Sequence, residues 1–313
     1  MNPTASRRLR ANALLLLASA IWGFAFVAQR VGAESVDAFT FNAVRFAMGA
    51  AALVPVVWWL DRRRRVPRPI RAQATRAVLL PGLITGALLA AAVGMQQIAM
   101  SHTTAGNAAF ITGLYMVFVP IVAAFRGHRS NWTTVAGIAL ALVGLYFLAV
   151  GDDFGIGFGD AIVLASTFVW TAQILVIEHY SKRLSALRFS ISQFAWCAAI
   201  SAIAALVLDA RPFAGLGEGI VPLLYGGLMS VGIAYTLQVV AQRDALASHA
   251  ALIMSAESVF GALGGALLLG ENMGVRGYFG AALMAAGIAL TQWRIDSIHS
   301  PPAIEQESLR SLT

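Results

Sequence analysis

The sequence predicts an all-α integral membrane protein with ten transmembrane helices, arranged as two inverted five-helix repeats (5+5) with both termini in the cytoplasm. Three observations predict this fold: an apolar composition, ten apolar segments of spanning length, and an internal repeat. Of the 313 residues, 58% are hydrophobic and 12% are charged, whereas globular proteins average roughly 25% charged residues. A soluble fold of this size could not bury so much apolar surface. The same composition also excludes a disordered chain and a disulfide-stabilised one.

Each apolar segment is about 20 residues or longer, enough to cross a hydrocarbon core of roughly 30 Å. The segments, numbered here as predicted helices 1 to 10, cover residues 12–32, 37–60, 77–100, 104–125, 131–150, 159–179, 186–209, 217–241, 247–270 and 274–294. The first is too long for the apolar core of a cleaved signal peptide. We therefore expect a first repeat over 12–150, a second over 159–294, and cytoplasmic tails over 1–11 and 295–313.

The net charge of +7 is concentrated on one side of this layout. Lys and Arg fill the N-terminal tail and the loops on its side, including the arginine run between Arg62 and Arg76, while the other side carries Arg30, Arg211 and Arg276. This bias places both termini in the cytoplasm and the chain in the cytoplasmic (inner) membrane. The basic residues thus indicate an anionic lipid surface and not nucleic acid.

The two halves repeat each other at spacings of 141 to 148 residues. Equivalent positions carry Trp22 and Trp170, Arg45 and Gln193, Pro81 and Pro222, Gln97 and Gln238, Phe118 and Phe260, Gly137 and Gly280, and Gly144 and Gly287. Because five is odd, the halves enter the membrane in opposite directions. Such halves can exchange conformations and open a central site to each side in turn, which favours a secondary transporter over a receptor, channel or membrane enzyme.

Two stretches also carry a family resemblance. Predicted helix 9 contains Glu257-Ser258-Val259-Phe260-Gly261 and ends at Leu269-Gly270-Glu271, and predicted helix 2 contains Asn42-Ala43-Val44-Arg45-Phe46. With the 5+5 layout, these residues resemble the EamA-type branch of the drug/metabolite transporter superfamily and, within it, YddG-type aromatic amino-acid exporters. The resemblance implies export of amino acids or related metabolites without a cofactor. It also implies a cavity lined mainly by helices 3, 4, 8 and 9, with contributions from 1 and 6.

Arg45 and Glu257 are charged residues at mid-depth in predicted helices 2 and 9, where a charge is costly unless it is used or paired. Arg45 could anchor a substrate carboxylate, or pair with Glu257 or helix-end carbonyls. Glu257 could bind a substrate ammonium group, carry a coupling proton, or hold helices together.

Aromatic residues are the next candidates for a binding site. Trp22 and Trp170 lie near mid-helix, away from the interfacial positions that tryptophan usually occupies. With Tyr115 and Tyr235, they could form walls for aromatic or large apolar substrates, or they could be ordinary packing residues.

Polar neutral side chains complete the predicted site. Gln96, Gln97 and Gln238 could bind an amino-acid head group or form hydrogen bonds between helices. Asn107 and His249 occupy equivalent positions near the starts of predicted helices 4 and 9, where they could line an access path or simply pack.

The sequence thus favours an exporter of amino acids, aromatic or large neutral ones first, that works by alternating access. An alternative interpretation keeps the fold but makes the chain a permease for a drug, nucleoside or sugar conjugate. A third is a membrane-embedded enzyme, although His102, His179 and Asp152 are too scattered to form a nucleophile–base set. The expected partners are a small-molecule substrate and the lipid bilayer; a monomer and proton coupling are both compatible with the sequence.

Overall fold

The structure is a computed structural model that describes residues 3–125, 132–149, 157–270 and 274–293. Within these ranges it is helical and contains no strand. The helices are α1 (Pro3–Gly32), α2 (Ala38–Arg63), α3 (Arg68–Ala77), α4 (Leu79–Ala99), α5 (Ala105–Gly113), α6 (Tyr115–Phe125), α7 (Trp132–Ala149), α8 (Phe158–Ser181), α9 (Ala186–Leu208), α10 (Ile220–Leu224), a π-helical segment (Tyr225–Tyr235), α11 (Thr236–Ala241), α12 (Ala247–Met254), α13 (Glu257–Leu268) and α14 (Gly274–Trp293). The predicted tail 295–313 and the terminal residues 150 and 294 of the two predicted repeats lie outside the described residues.

Among the described residues, eight helical stretches are long and apolar enough to cross a membrane. They are Ser6–Gly32, Ala38–Arg63, Arg68–Ala99, Ala105–Phe125, Phe158–Ser181, Ala186–Leu208, Ile220–Ala241 and Ala247–Leu268. Two shorter apolar helices, Trp132–Phe147 and Gly274–Leu290, lie within predicted helices 5 and 10. The prediction of an all-helical membrane protein is confirmed, whereas the count of ten spans stays a prediction.

Several boundaries differ from those predicted. The tail expected before residue 12 is already helical from Pro3. The arginine-rich loop contains α3, which has no buried residue and therefore lies on the surface of the bundle. Predicted helices 4 and 9 are each interrupted, at Leu114 and at Ser255–Ala256. These breaks are equivalent in the repeat, since Leu114 and Ala256 are separated by the same 142 residues as Phe118 and Phe260.

The helices α2 and α9 pack antiparallel and are linked at both ends by equivalent carboxylates. At one end, Asp209 Oδ2 accepts hydrogen bonds from the backbone N–H of Thr40 at 2.7 Å and from its hydroxyl at 2.8 Å. At the other end, Arg188 Nη2 donates to both oxygens of Asp61, at 2.6 and 2.7 Å. Asp61 and Asp209 occupy equivalent positions in the repeat, as do Thr40 and Arg188. The repeat therefore relates the link at one end of the helix pair to the link at the other end.

The contact between α7 and α14 is reciprocal in the same way. A Cβ atom on Gly144 would stand 2.6 Å from the carbonyl oxygen of Gly280, and one on Gly287 would stand 2.6 Å from that of Gly137. Both distances are shorter than a real Cβ contact, so glycine is required for the two backbones to approach this closely. Because Gly137 is equivalent to Gly280 and Gly144 to Gly287, each half supplies the same pair of glycines.

Candidate functional site

A narrow cavity of about 30 Å³ lies in the middle of the bundle. It is lined by Trp22, Phe26, Gln29, Gln96, Thr112, Tyr115, Trp170, Ile174, Ser230, Tyr235, Gln238, Met254 and Glu257. These residues belong to predicted helices 1, 3, 4, 6, 8 and 9, the six that the family resemblance implies. The cavity is thus placed between elements of both halves of the sequence.

The lining itself follows the repeat. Four pairs of equivalent positions face this cavity: Trp22 with Trp170, Phe26 with Ile174, Thr112 with Met254, and Tyr115 with Glu257. The first two pairs are separated by 148 residues and the last two by 142, the spacings of their helices. The cavity therefore lies where the equivalent surfaces of the two halves meet.

Tyr235 lies at the centre of the aromatic wall. Its ring centroid is 4.7 Å from that of Trp22 and 6.1 Å from that of Trp170, which it stacks against at 15°. Behind it, Phe46 and Phe194 approach to 5.8 and 6.1 Å. These rings give the cavity a rigid apolar side suited to a flat or bulky apolar group.

A chain of hydrogen bonds orders polar side chains in and next to the lining of the cavity. Trp170 Nε1 donates to Gln96 Oε1, and Gln96 Nε2 donates to Gln29 Oε1, each at 3.1 Å. Gln97 Nε2 donates to the backbone carbonyl of Gln29 at 3.0 Å. The chain therefore orients the Trp170 indole and links α1, α4 and α8.

Other polar atoms at the cavity have no hydrogen-bond partner among the described residues. They are Glu257 Oε1, Gln238 Oε1, Trp22 Nε1, Thr112 Oγ1 and the Tyr115 hydroxyl oxygen. Glu257 is 4% exposed and begins α13, with the Tyr115 hydroxyl beside its carboxyl group. Since buried polar groups are rarely left unpaired, the cavity offers two carbonyl or carboxylate acceptors, one indole donor and two hydroxyl groups to a ligand.

Four residues predicted for the site lie outside the lining of the cavity. Arg45 is 1% exposed; its Nε donates to Asn42 Oδ1 at 2.9 Å, and its guanidinium carbon is 5.1 Å from the ring centroid of Phe46. Within the described part of the chain, no ion pair joins it to Glu257, and its Nη2 has no partner. Phe46 in turn contacts the lining residue Tyr235, with 5.8 Å between ring centroids.

The other three take part in hydrogen bonds between or within helices. Gln97 bonds to Gln29 as described above, and the Asn107 backbone N–H donates to Thr104 Oγ1 at 3.0 Å in the first turn of α5. His249 Nε2 lies 3.0 Å from Asn12 Oδ1, which joins α12 to α1.

Sequence analysis missed several lining residues for identifiable reasons. Phe26 and Gln29 lie four and seven residues after Trp22, so the helical periodicity of one face would have found both. Thr112 was missed as well, although it lies three residues before Tyr115; Ile174 and Met254 are apolar, and the repeat spacing from Phe26 and Thr112 leads to both. Ser230 has no such signal, because it lies in the π-helical segment, where α-helical periodicity does not hold.

Comparison with known proteins gives consistent matches across the chain. The sequence matches the profile of the EamA-like transporter family over residues 9–150 and again over 157–293. An uncharacterized transporter of Archaeoglobus fulgidus is 29% identical over 92% of this chain and 88% of its own length. The uncharacterized transporter YoaV of Bacillus subtilis is 21% identical over 86% and 91%. One crystal structure shares the fold, with a TM-score of 0.73, 18% identity, and coverage of 94% of this chain and 100% of that one.

Proposed function

Because the chain belongs to the EamA-like transporter family, we propose that it exports amino acids, foremost aromatic or large neutral ones, or similar small metabolites out of the cytoplasm. Family membership makes it a multi-pass transporter of the cell membrane within the drug/metabolite transporter superfamily. The substrate class and the direction of transport are the proposal.

The observation that carries the proposal is the combination of an aromatic wall with unpaired polar atoms in one cavity. The narrow cavity would widen on binding, and an apolar side chain would then pack against Trp22, Trp170 and Tyr235. The ammonium group of the same molecule would donate to Glu257 Oε1 and Gln238 Oε1, which lack partners among the described residues. Apolar burial then supplies affinity, and the few polar groups fix orientation.

Alternating access of two inverted five-helix halves is the proposed mechanism, with both termini in the cytoplasm. It is supported by the separate family match of each half and by the reciprocal glycine contacts of α7 and α14. The breaks before Tyr115 and Glu257 are equivalent and adjoin the cavity. Discontinuous helices at a central site are the usual place where such transporters bind substrate and bend.

Counterflow in proteoliposomes tests the proposal. Purified protein is reconstituted, and exchange of labelled amino acids, nucleosides, sugars and organic cations is measured with and without a pH gradient. We expect saturable exchange of aromatic or large neutral amino acids. Exchange of nucleosides or sugars without any amino acid would refute the substrate class and leave the family assignment intact.

A cationic drug is the second candidate substrate, favoured by the charge of the cavity. Its described lining residues include the carboxyl group of Glu257 and neither Lys nor Arg. A monovalent cation would depend on Glu257 for charge compensation, whereas a zwitterion could keep its other contacts.

Glu257→Gln separates the two candidates. We expect this variant to abolish exchange of a cation but to retain amino-acid exchange with lower affinity. Glu178→Gln is the matched control, since Glu178 pairs with Lys182 at 3.0 Å near the end of α8, away from the cavity. Loss of pH-gradient stimulation with retained exchange in Glu257→Gln would identify Glu257 as a proton carrier.

A further inference from the structure

A second large concavity lies on the side of the bundle, between α2, α3, the start of α4 and α9. Its volume is about 470 Å³, and it is separate from the central cavity. Its long walls are apolar, with Val54 and Trp58 on α2 and Ile191 and Trp196 on α9. Trp58 and Trp196 remain 48% and 37% exposed. In a membrane protein, exposed apolar side chains on the outside of a bundle face lipid acyl chains, so this groove opens to the bilayer.

One end of the groove is charged. Arg188 Nη2 lies 2.6 Å from Asp61 Oδ2, and Arg71 Nε lies 3.2 Å from the same oxygen. Arg188 Nη1 also donates to Thr75 Oγ1 at 3.1 Å. Because two guanidinium groups share one carboxylate, the end of the groove keeps a net positive charge. The side chain of Arg71 is 35% exposed and is accessible from outside.

The other end of the α2–α9 pair shows which contacts are enough to link these two helices. There Asp209, the equivalent of Asp61, is satisfied by the backbone N–H and hydroxyl of Thr40. Linking α2 to α9 therefore does not need an arginine. Arg188, which replaces Thr40 in the repeat, and Arg71 on the surface helix α3 supply positive charge beyond that structural need.

We propose that this groove is a binding site for one anionic phospholipid. Its phosphate lies against Arg71 and Arg188, and one acyl chain runs between Trp58 and Trp196. At 1.5 Å per residue, the helix from Arg188 to Trp196 rises about 12 Å, most of the roughly 15 Å hydrocarbon depth of one leaflet. The proposed orientation puts the charged end in the cytoplasmic leaflet, where anionic lipids attract basic side chains.

Native mass spectrometry of the full chain tests the site. Phosphatidylglycerol and phosphatidylcholine with identical acyl chains are each titrated into purified protein in detergent. We expect one phosphatidylglycerol to be retained more tightly than any phosphatidylcholine. Arg71→Gln should weaken its binding about fivefold, as expected for the loss of one basic residue near a lipid phosphate. Arg68→Gln, on the same surface helix but outside the groove, is the matched control.

A second variant tests the apolar wall without altering charge. Ala195 lines the groove, and Ala195→Trp would fill it, so retention of phosphatidylglycerol should be lost. Ala199→Trp, one turn further along α9 and outside the lining, should retain the lipid. Both variants must elute as the wild-type protein does in size exclusion, which separates loss of the site from loss of the fold.

Three results would overturn the proposal. The first is equal retention of the two lipids. The second is an equal effect of Arg68→Gln and Arg71→Gln. The third is displacement of phosphatidylglycerol by inorganic phosphate at the same concentration, because an anion that competes alone would leave no role for the acyl chain.

Discussion

Tyr235 is the residue on which the aromatic side of the cavity depends. It contacts Trp22 and Trp170 inside the cavity and Phe46 and Phe194 behind it. Its position fixes the width of the space that an apolar side chain could enter. The residue thus combines a packing role with a proposed binding role, and a substitution can separate the two.

Tyr235→Ala should raise the apparent KM for a large neutral amino acid up to about tenfold, because an aromatic contact contributes about 0.5–1.5 kcal/mol beyond apolar burial. Tyr235→Phe keeps the ring and should stay near wild type. Counterflow at varied substrate concentration measures both. Tyr278→Ala, at an exposed position of α14, is the control. An equal loss in Tyr235→Phe would instead assign the effect to the hydroxyl group.

Arg45 shows the limit of residue prediction in this chain. The sequence predicts the depth and the charge of this residue, but it does not predict which face of the helix the residue occupies. Successive residues of an α-helix differ by about 100° in direction, so Phe46 contacts the lining residue Tyr235, whereas Arg45 donates to Asn42 outside the lining. Trp22 and Trp170 were easier to place, because two equivalent tryptophans away from the interface constrain each other.

At the scale of elements, the reciprocal glycines of α7 and α14 set how closely these helices approach. Gly144→Leu should lower the midpoint of thermal unfolding and destabilise the bundle by about 1–3 kcal/mol, because the side chain would collide with the Gly280 backbone. Gly217→Leu is the control, since a Cβ there meets nothing within 4 Å. Unchanged thermal stability of Gly144→Leu in detergent would contradict the tight contact.

The helix breaks could not be predicted from residue types. Leu114, Ser255 and Ala256 lie in continuous apolar segments and are not helix-breaking residues. Both interruptions adjoin residues that line the cavity, a tertiary arrangement that a single segment does not record. The glycine contacts, by contrast, could be anticipated from matched spacings in the two halves.

At the scale of the whole molecule, the proposed orientation predicts which loops face the cytoplasm and which face the outside of the cell. Cys197, the single cysteine, is fully buried, so its replacement by serine gives a background for new cysteines. In that background Ala72→Cys, on α3, should be protected from a membrane-impermeant maleimide in intact cells. Glu218→Cys, at the predicted outer end of helix 8, should react. Labelling in the reverse pattern would invert the proposed orientation.

The pairing of Tyr115 with Glu257 has a consequence for energetics. In the proposed alternating access, two identical inverted halves would make the inward-open and outward-open states equivalent by a two-fold rotation in the membrane plane, with equal free energies. Here one half places a phenol and the other a carboxyl group at equivalent positions of the cavity. The two states are therefore not degenerate, and whatever binds or discharges Glu257 shifts their populations. Under the proposed mechanism, unequal pairs such as Tyr115 and Glu257 thus bias the side of the membrane to which the empty transporter opens.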